Sequence, residues 1–144
     1  MKIVASVTIP AARESIWQTF MAVQKWPDWS PWQLRFPEEE RFTPGGRFHV
    51  ITSLPVLHFL MLAFPCEVTK YQNPKVICWS GRVFGIPGYH QFSIEEAPGG
   101  YRLVSEEKFN GPFAVFLYPF RWIIKGRVLT FLEQLSRATV AAYG

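Results

Sequence analysis

Ile3, Ala5, Val7 and Ile9 alternate with Lys2, Val4, Ser6 and Thr8, a period of two that predicts an opening strand with one face against a core. Pro10 ends it. Glu14 suits a helical first turn, and Ile16, Phe20 and Val23 fall at i, i+4 and i+7, so a short amphipathic helix is expected over roughly 11–23. Next comes KWPDWSPW, residues 25–32, where Pro27 and Pro31 preclude more than a turn or two of continuous helix. From about 32 to 110 the pattern is that of strands punctuated by TPGG, QNPK, GIPG and APGG, an antiparallel meander.

In the last hairpin, His90, Phe92 and Ile94 share one face, and Tyr101, Leu103, Ser105, Glu107 and Phe109 form the inner face of the return strand. The remaining chain begins as the very apolar run PFAVFLYPF and becomes periodic. Ile124, Val128, Phe131, Leu132, Leu135, Ala138, Thr139 and Ala142 share one face of a long helix. Lys125, Arg127, Glu133, Gln134 and Arg137 share the other. No repeat or internal linker interrupts the chain, so residues 1–144 are expected to form a single α+β domain.

Composition narrows the function classes. Apolar residues make up 49% and charged residues 18%, with 13 Phe and 6 Trp, which excludes disorder and calls for a ring-rich core. The net charge is +4, but no basic run or stripe occurs, so nucleic acid is not an expected partner. Cys66 and Cys78 lack metal-type spacing and the N-terminus lacks a secretory apolar core, so both thiols are expected free and the location cytoplasmic. The apolar stretches 54–66 and 112–120 are too short for a spanning helix.

The order of elements and three local motifs resemble the START and pollen-allergen-like superfamily, also called SRPBCC or polyketide cyclase/dehydrase-like. IPAARESIWQTFMAVQKWPDWSPW is similar to its N-terminal strand, helix and tryptophan-bearing turn. CWSGRVFGIPGYHQFSI resembles its Trp-x-Gly and Gly-x-His-x-Phe strands, and EKFNGPF its bridge into the last helix. The resemblance covers nearly the whole chain. It implies a helix-grip fold: a curved seven-stranded antiparallel sheet wrapped around a long C-terminal helix, with two short helices after the first strand. It also implies an apolar cavity between sheet and helix that holds a lipid, polyketide or similar molecule, with cyclisation or dehydration in some members. A non-catalytic interaction or stress-related module with a closed core is the alternative.

If Glu96 pairs with Tyr101 across the APGG turn, His90 lies opposite Glu107 on the inner face. The two read either as a buried structural pair or as an acid-base pair, in which the carboxylate would stabilise the charged imidazole. The cavity is expected to be lined by Trp29 and Trp32 from the turn and by Cys66, Trp79, Phe92, Ser105 and Phe109 from the strands. Ile124, Val128 and Phe131 would close it from the helix. His49, His58 and His90 have no ligand partner at a recognised spacing, so neither metal nor cofactor is expected. Segment 54–66 reads as a buried edge strand and turn, or as an entry loop that touches a membrane or a carrier protein, and PFAVFLYPFRW invites the same two readings. The oligomeric state is not legible.

Overall fold

The alternation that opens the chain becomes an edge strand. β1 (Lys2–Ile9) buries Ile3, Ala5 and Ile9, and it pairs antiparallel with β7 (Gly100–Phe109), the last strand in sequence. Between them lie α1 (Arg13–Met21), a 3-10 turn (Val23–Lys25), α2 (Trp26–Trp29), β2 (Leu34–Arg35), β3 (Arg47–Ser53), β4 (Met61–Gln72), β5 (Val76–Val83) and β6 (Ile86–Ala97). A 3-10 helix (Pro112–Phe120) and α3 (Arg121–Tyr143) follow. The sheet has seven strands in the order β1-β7-β6-β5-β4-β3-β2. The computed structural model describes residues 1–30, 34–37, 39–53, 57 and 59–143, and the side chains of Leu34 and Arg35 are not among the described parts.

Turn chemistry sets the registers. Pro98 and Gly99, with Gly99 at φ 88°, join Ala97 to Gly100, which pairs Glu96 with Tyr101 and His90 with Glu107 as the alternation predicts. The predicted pairs Val68 with Trp79 and Cys66 with Gly81 form as well. At the β5–β6 turn both Phe84 (φ 52°) and Gly85 (φ 78°) are left-handed, the two-residue geometry whose twist suits a hairpin.

The concave face of this sheet and α3 enclose the core, giving the helix-grip arrangement. Phe131, Leu132, Leu135 and Thr139 of α3 are buried, as the helical period predicts. Positions at its end and on its polar face depart from it. Ala142 is exposed because it lies in the last turn, and Arg127, placed on the polar face, is half-buried and donates to the Ser53 backbone oxygen at 2.6 Å and to Ser53 Oγ. Its aliphatic stem can cross the edge of the apolar stripe while the guanidinium finds oxygen partners on β3.

The predicted first helix is shorter than its apolar spacing suggests, since the 3-10 turn redirects the chain after Met21. α2 then starts with Pro27 in its first turn, where a missing N–H costs nothing. Trp26 is fully buried against Phe20, Phe36, Phe42 and Phe131, and its indole N–H donates to the Phe20 oxygen at 2.9 Å. That bond removes the cost of burying a polar N–H.

The reading of 54–66 as a buried edge strand is corrected. Its second half belongs to β4, an interior strand between β3 and β5, while Leu57, Phe59, Leu60 and Met61 are exposed. No helix among the described residues is long and apolar enough to cross a membrane.

Candidate functional site

Four neighbouring strands place one residue each in a transverse inner row: Glu107 on β7, His90 on β6, Trp79 on β5 and Val68 on β4. The indole of Trp79 and the ring of Phe92 hold the imidazole at centroid distances of 4.9 and 4.3 Å. Beneath the imidazole, His90 Nε2 lies 2.7 Å from Ser105 Oγ, and Nδ1 lies 3.4 Å from Glu107 Oε1. Serine hydroxyl can donate or accept, so either imidazole tautomer is satisfied at Nε2.

Apolar surroundings decide the charges. Burial pushes the Glu107 carboxyl up to about 7 and holds His90 down at about 3. The pair is therefore neutral between about pH 3 and about pH 7, with the proton on Glu107 and an uncharged imidazole beside it. This corrects the expectation that the carboxylate stabilises a charged imidazole: desolvation by burial is the cause that sets both groups, and it favours the neutral form of each. Glu107 Oε2 is buried and has no hydrogen-bond partner among the described residues. A buried carboxyl oxygen left unpaired is costly and marks a place where a ligand or water belongs.

Above this row lies a cavity of about 240 Å³, with a lobe of about 60 Å³ beside Gly81 and Gly88. These two glycines face each other across β5 and β6. A Cβ on Gly81 would come within 2.7 Å of the Pro65 oxygen, so β4 and β5 approach too closely there for any side chain.

The cavity brings together His90, Glu107, Cys66, Trp79, Phe92 and Phe109 from the sheet with Ile124, Val128 and Phe131 from α3. Two expected residues lie elsewhere. Trp29 packs on Trp26 and Phe131 at 6.2 and 5.3 Å and seals the core outside the cavity, and Ser105 lies behind His90, almost fully buried. Trp32 and His58 fall outside the described residues.

Val50, Phe64 and Val83 also line the cavity. Each was within reach of the alternation, since Phe64 is two residues from Cys66 on β4, Val83 four from Trp79 on β5, and Val50 two from Phe48 on β3. Arg127, Ser53, Leu117 and Phe84 carried no such signal. Cys66 is no nucleophile at neutral pH, because burial raises its thiol to about 11. Both cysteines are free.

No protein-family model matches the sequence, and no curated protein does. Solved structures do match. Protein TTHA0849 from Thermus thermophilus is 12% identical with a TM-score of 0.78, covering 100% of both chains. The di-domain ARO/CYC StfQ from the steffimycin biosynthetic pathway is 11% identical with a TM-score of 0.75, covering 98% of this chain and 51% of that one. Ara h 8.0201 is 11% identical with a TM-score of 0.74, covering 98% of each. At these identities the likeness is one of fold.

Proposed function

Because the chain has the helix-grip fold of the START and pollen-allergen-like superfamily, we propose that it binds a small hydrophobic molecule between sheet and α3, with one ligand oxygen turned to Glu107. The observation that carries this reading is the unpartnered Glu107 Oε2 in a mostly apolar cavity. A protonated carboxyl there donates to a carbonyl or hydroxyl oxygen of the ligand. Size narrows the class. A dry cavity of roughly 150 Å³ takes up benzene, so about 240 Å³ suits a two-ring compound or a short acyl chain rather than a tetracyclic one. A closed-core interaction module would leave neither the space nor the orphaned oxygen.

A second reading rests on the Glu107 pKa of about 7, which lets the group give and take a proton near neutrality. On a β-hydroxy ketone, the carboxylate removes the proton beside the carbonyl. Protonated Glu107 then returns it to the departing hydroxyl, which leaves as water and gives the enone. His90 is the positioning residue in this scheme, anchored by Ser105. The similarity to an ARO/CYC protein supports this chemistry. The free thiols support a reducing compartment, the cytoplasm.

The test is titration with 2-naphthol, followed through the protein's tryptophan fluorescence, to which Trp79 in the cavity wall contributes, together with mass spectrometry of an extract of the purified protein. Saturable quenching that Glu107→Gln weakens severalfold is expected. Absence of saturation, with an empty extract, would refute a ligand-binding role. For the second reading, a rate that rises with pH through about 7 identifies proton removal by the carboxylate as limiting, and one that falls identifies protonation of the leaving oxygen.

A further inference from the structure

Apolar side chains normally retreat from water, yet Phe84, Phe113, Phe116 and Trp122 each leave 66% of their surface in solvent, and Phe59 leaves 79%. They do not lie scattered. The 3-10 helix joins the β5–β6 hairpin, since the Asn110 N–H donates to the Pro87 oxygen and Ala114 and Leu117 pack with Ile86 and Val83. Phe84 meets Phe64 of β4 edge-on at 6.0 Å, and β4 begins at Met61, next to exposed Phe59 and Leu60. The hairpin and the 3-10 helix thus carry an apolar rim, and Phe84 and Leu117 line the cavity from that rim.

The backbone supports a purpose for it. Phe84 occupies the left-handed region at φ 52°, where a bulky side chain is strained, and the ring it presents is mostly exposed. A glycine or asparagine would form the same turn at lower cost.

Charge selects the partner. Segments 41–66, 68–94 and 108–132 contain no Asp or Glu, so every charge on the rim elements is positive: Arg82 on the hairpin, Arg121 and Lys125 on α3. Arg121 lies over the Tyr118 ring at 3.9 Å and over the Trp122 ring at 5.2 Å. Tyr and Trp with Arg beside them are the side chains that settle at the level of lipid headgroups, with apolar rings below. A second copy is a poorer occupant, because two-fold packing of this face would bring its cations together with no carboxylate on the rim elements to pair them. We infer that the rim formed by the 3-10 helix, the start of α3 and the β5–β6 turn docks the cavity mouth onto a bilayer surface carrying anionic lipid.

This goes beyond ligand binding in the cavity and is tested without it, by co-sedimentation with vesicles of phosphatidylcholine alone and of phosphatidylcholine mixed with phosphatidylglycerol. The protein is expected to bind the anionic vesicles, and added salt to weaken that binding. The double variant Phe113→Asp/Phe116→Asp, at two exposed and mutually stacked rings outside the cavity, is expected to lose at least about tenfold in partitioning with unchanged circular dichroism. Arg121→Gln and Lys125→Gln each lose roughly fivefold on anionic vesicles only. Failure to sediment with either vesicle, or binding indifferent to the Asp substitutions, overturns the inference. So does a dimer in analytical ultracentrifugation that those substitutions dissolve, which would assign the face to a second copy. The 2-naphthol titration reads the cavity separately, so either proposal can fall while the other stands.

Discussion

At the scale of single residues, the Glu107–His90 contact makes a pH dependence with two opposed halves. Glu107 has its folded-state pKa raised from 4.5 to about 7, so the native chain keeps a proton that the unfolded chain gives up. Its contribution is fully present below 4.5 and is lost as pH rises through about 7. His90 is the reverse, lowered from 6.5 to about 3: the unfolded chain takes a proton that the native one refuses, so stability falls as pH drops below 6.5 towards 3. Between 4.5 and 6.5 the two slopes cancel. Wild type is therefore expected to show a flat contribution from this pair in that window, whereas Glu107→Gln exposes the histidine slope and loses stability on acidification. His90→Gln exposes the opposite slope. Each slope is about 1.4 kcal/mol per pH unit, large enough for urea denaturation at a series of pH values to resolve. Equal slopes in wild type and both variants would mean that the pair does not titrate as described. The pairing of His90 with Glu107 was legible from the turn alone. The neutral state was not, because it depends on what surrounds the pair on all sides.

At the scale of elements, alternation located strands wherever one face is polar, as in β1 and β6, and the helical period located the buried stripe of α3. It failed for β4. There Leu62, Phe64 and Cys66 turn inwards while Met61, Ala63 and Pro65 turn out, so both faces are apolar at this end and the period of two disappears. Pro65 also argued against an interior strand. The tryptophan-rich stretch KWPDWSPW was legible as a proline-limited turn, and its described part acts as a closure: α2 drives Trp26 into the core between α1 and α3. Trp26→Ala should therefore cost about 3–5 kcal/mol, as expected for truncating a buried aromatic. Trp29→Ala, at a half-buried ring, should cost clearly less in the same denaturation experiment. Comparable losses would place Trp29 in the closure on equal terms.

At the scale of the whole molecule, the seven-stranded sheet and the long helix were legible in the sequence, but the space between them was not. Volume is the difference between two packed surfaces, and the glycines beside its small lobe, Gly81 and Gly88, stand in recognisable strand motifs that do not report the space next to them. The apolar rim of the mouth was legible only as one of two readings, since PFAVFLYPF has the composition of a core segment and its 3-10 geometry turns the rings out. The cavity is best challenged from the helix side, where a larger side chain enters without disturbing sheet register. Val128 lines the cavity and is half-buried on α3, so Val128→Trp directs an indole into the 240 Å³ volume. In a tightly packed core such an insertion costs about 1–3 kcal/mol; over an empty cavity it gains contacts that the lining lacks. The expected result is 2-naphthol binding weakened at least about tenfold, with stability equal to or above wild type. Destabilisation with binding intact would show that the indole turns away from the ligand site, and the volume assigned to the ligand would have to be sought on the other side of His90.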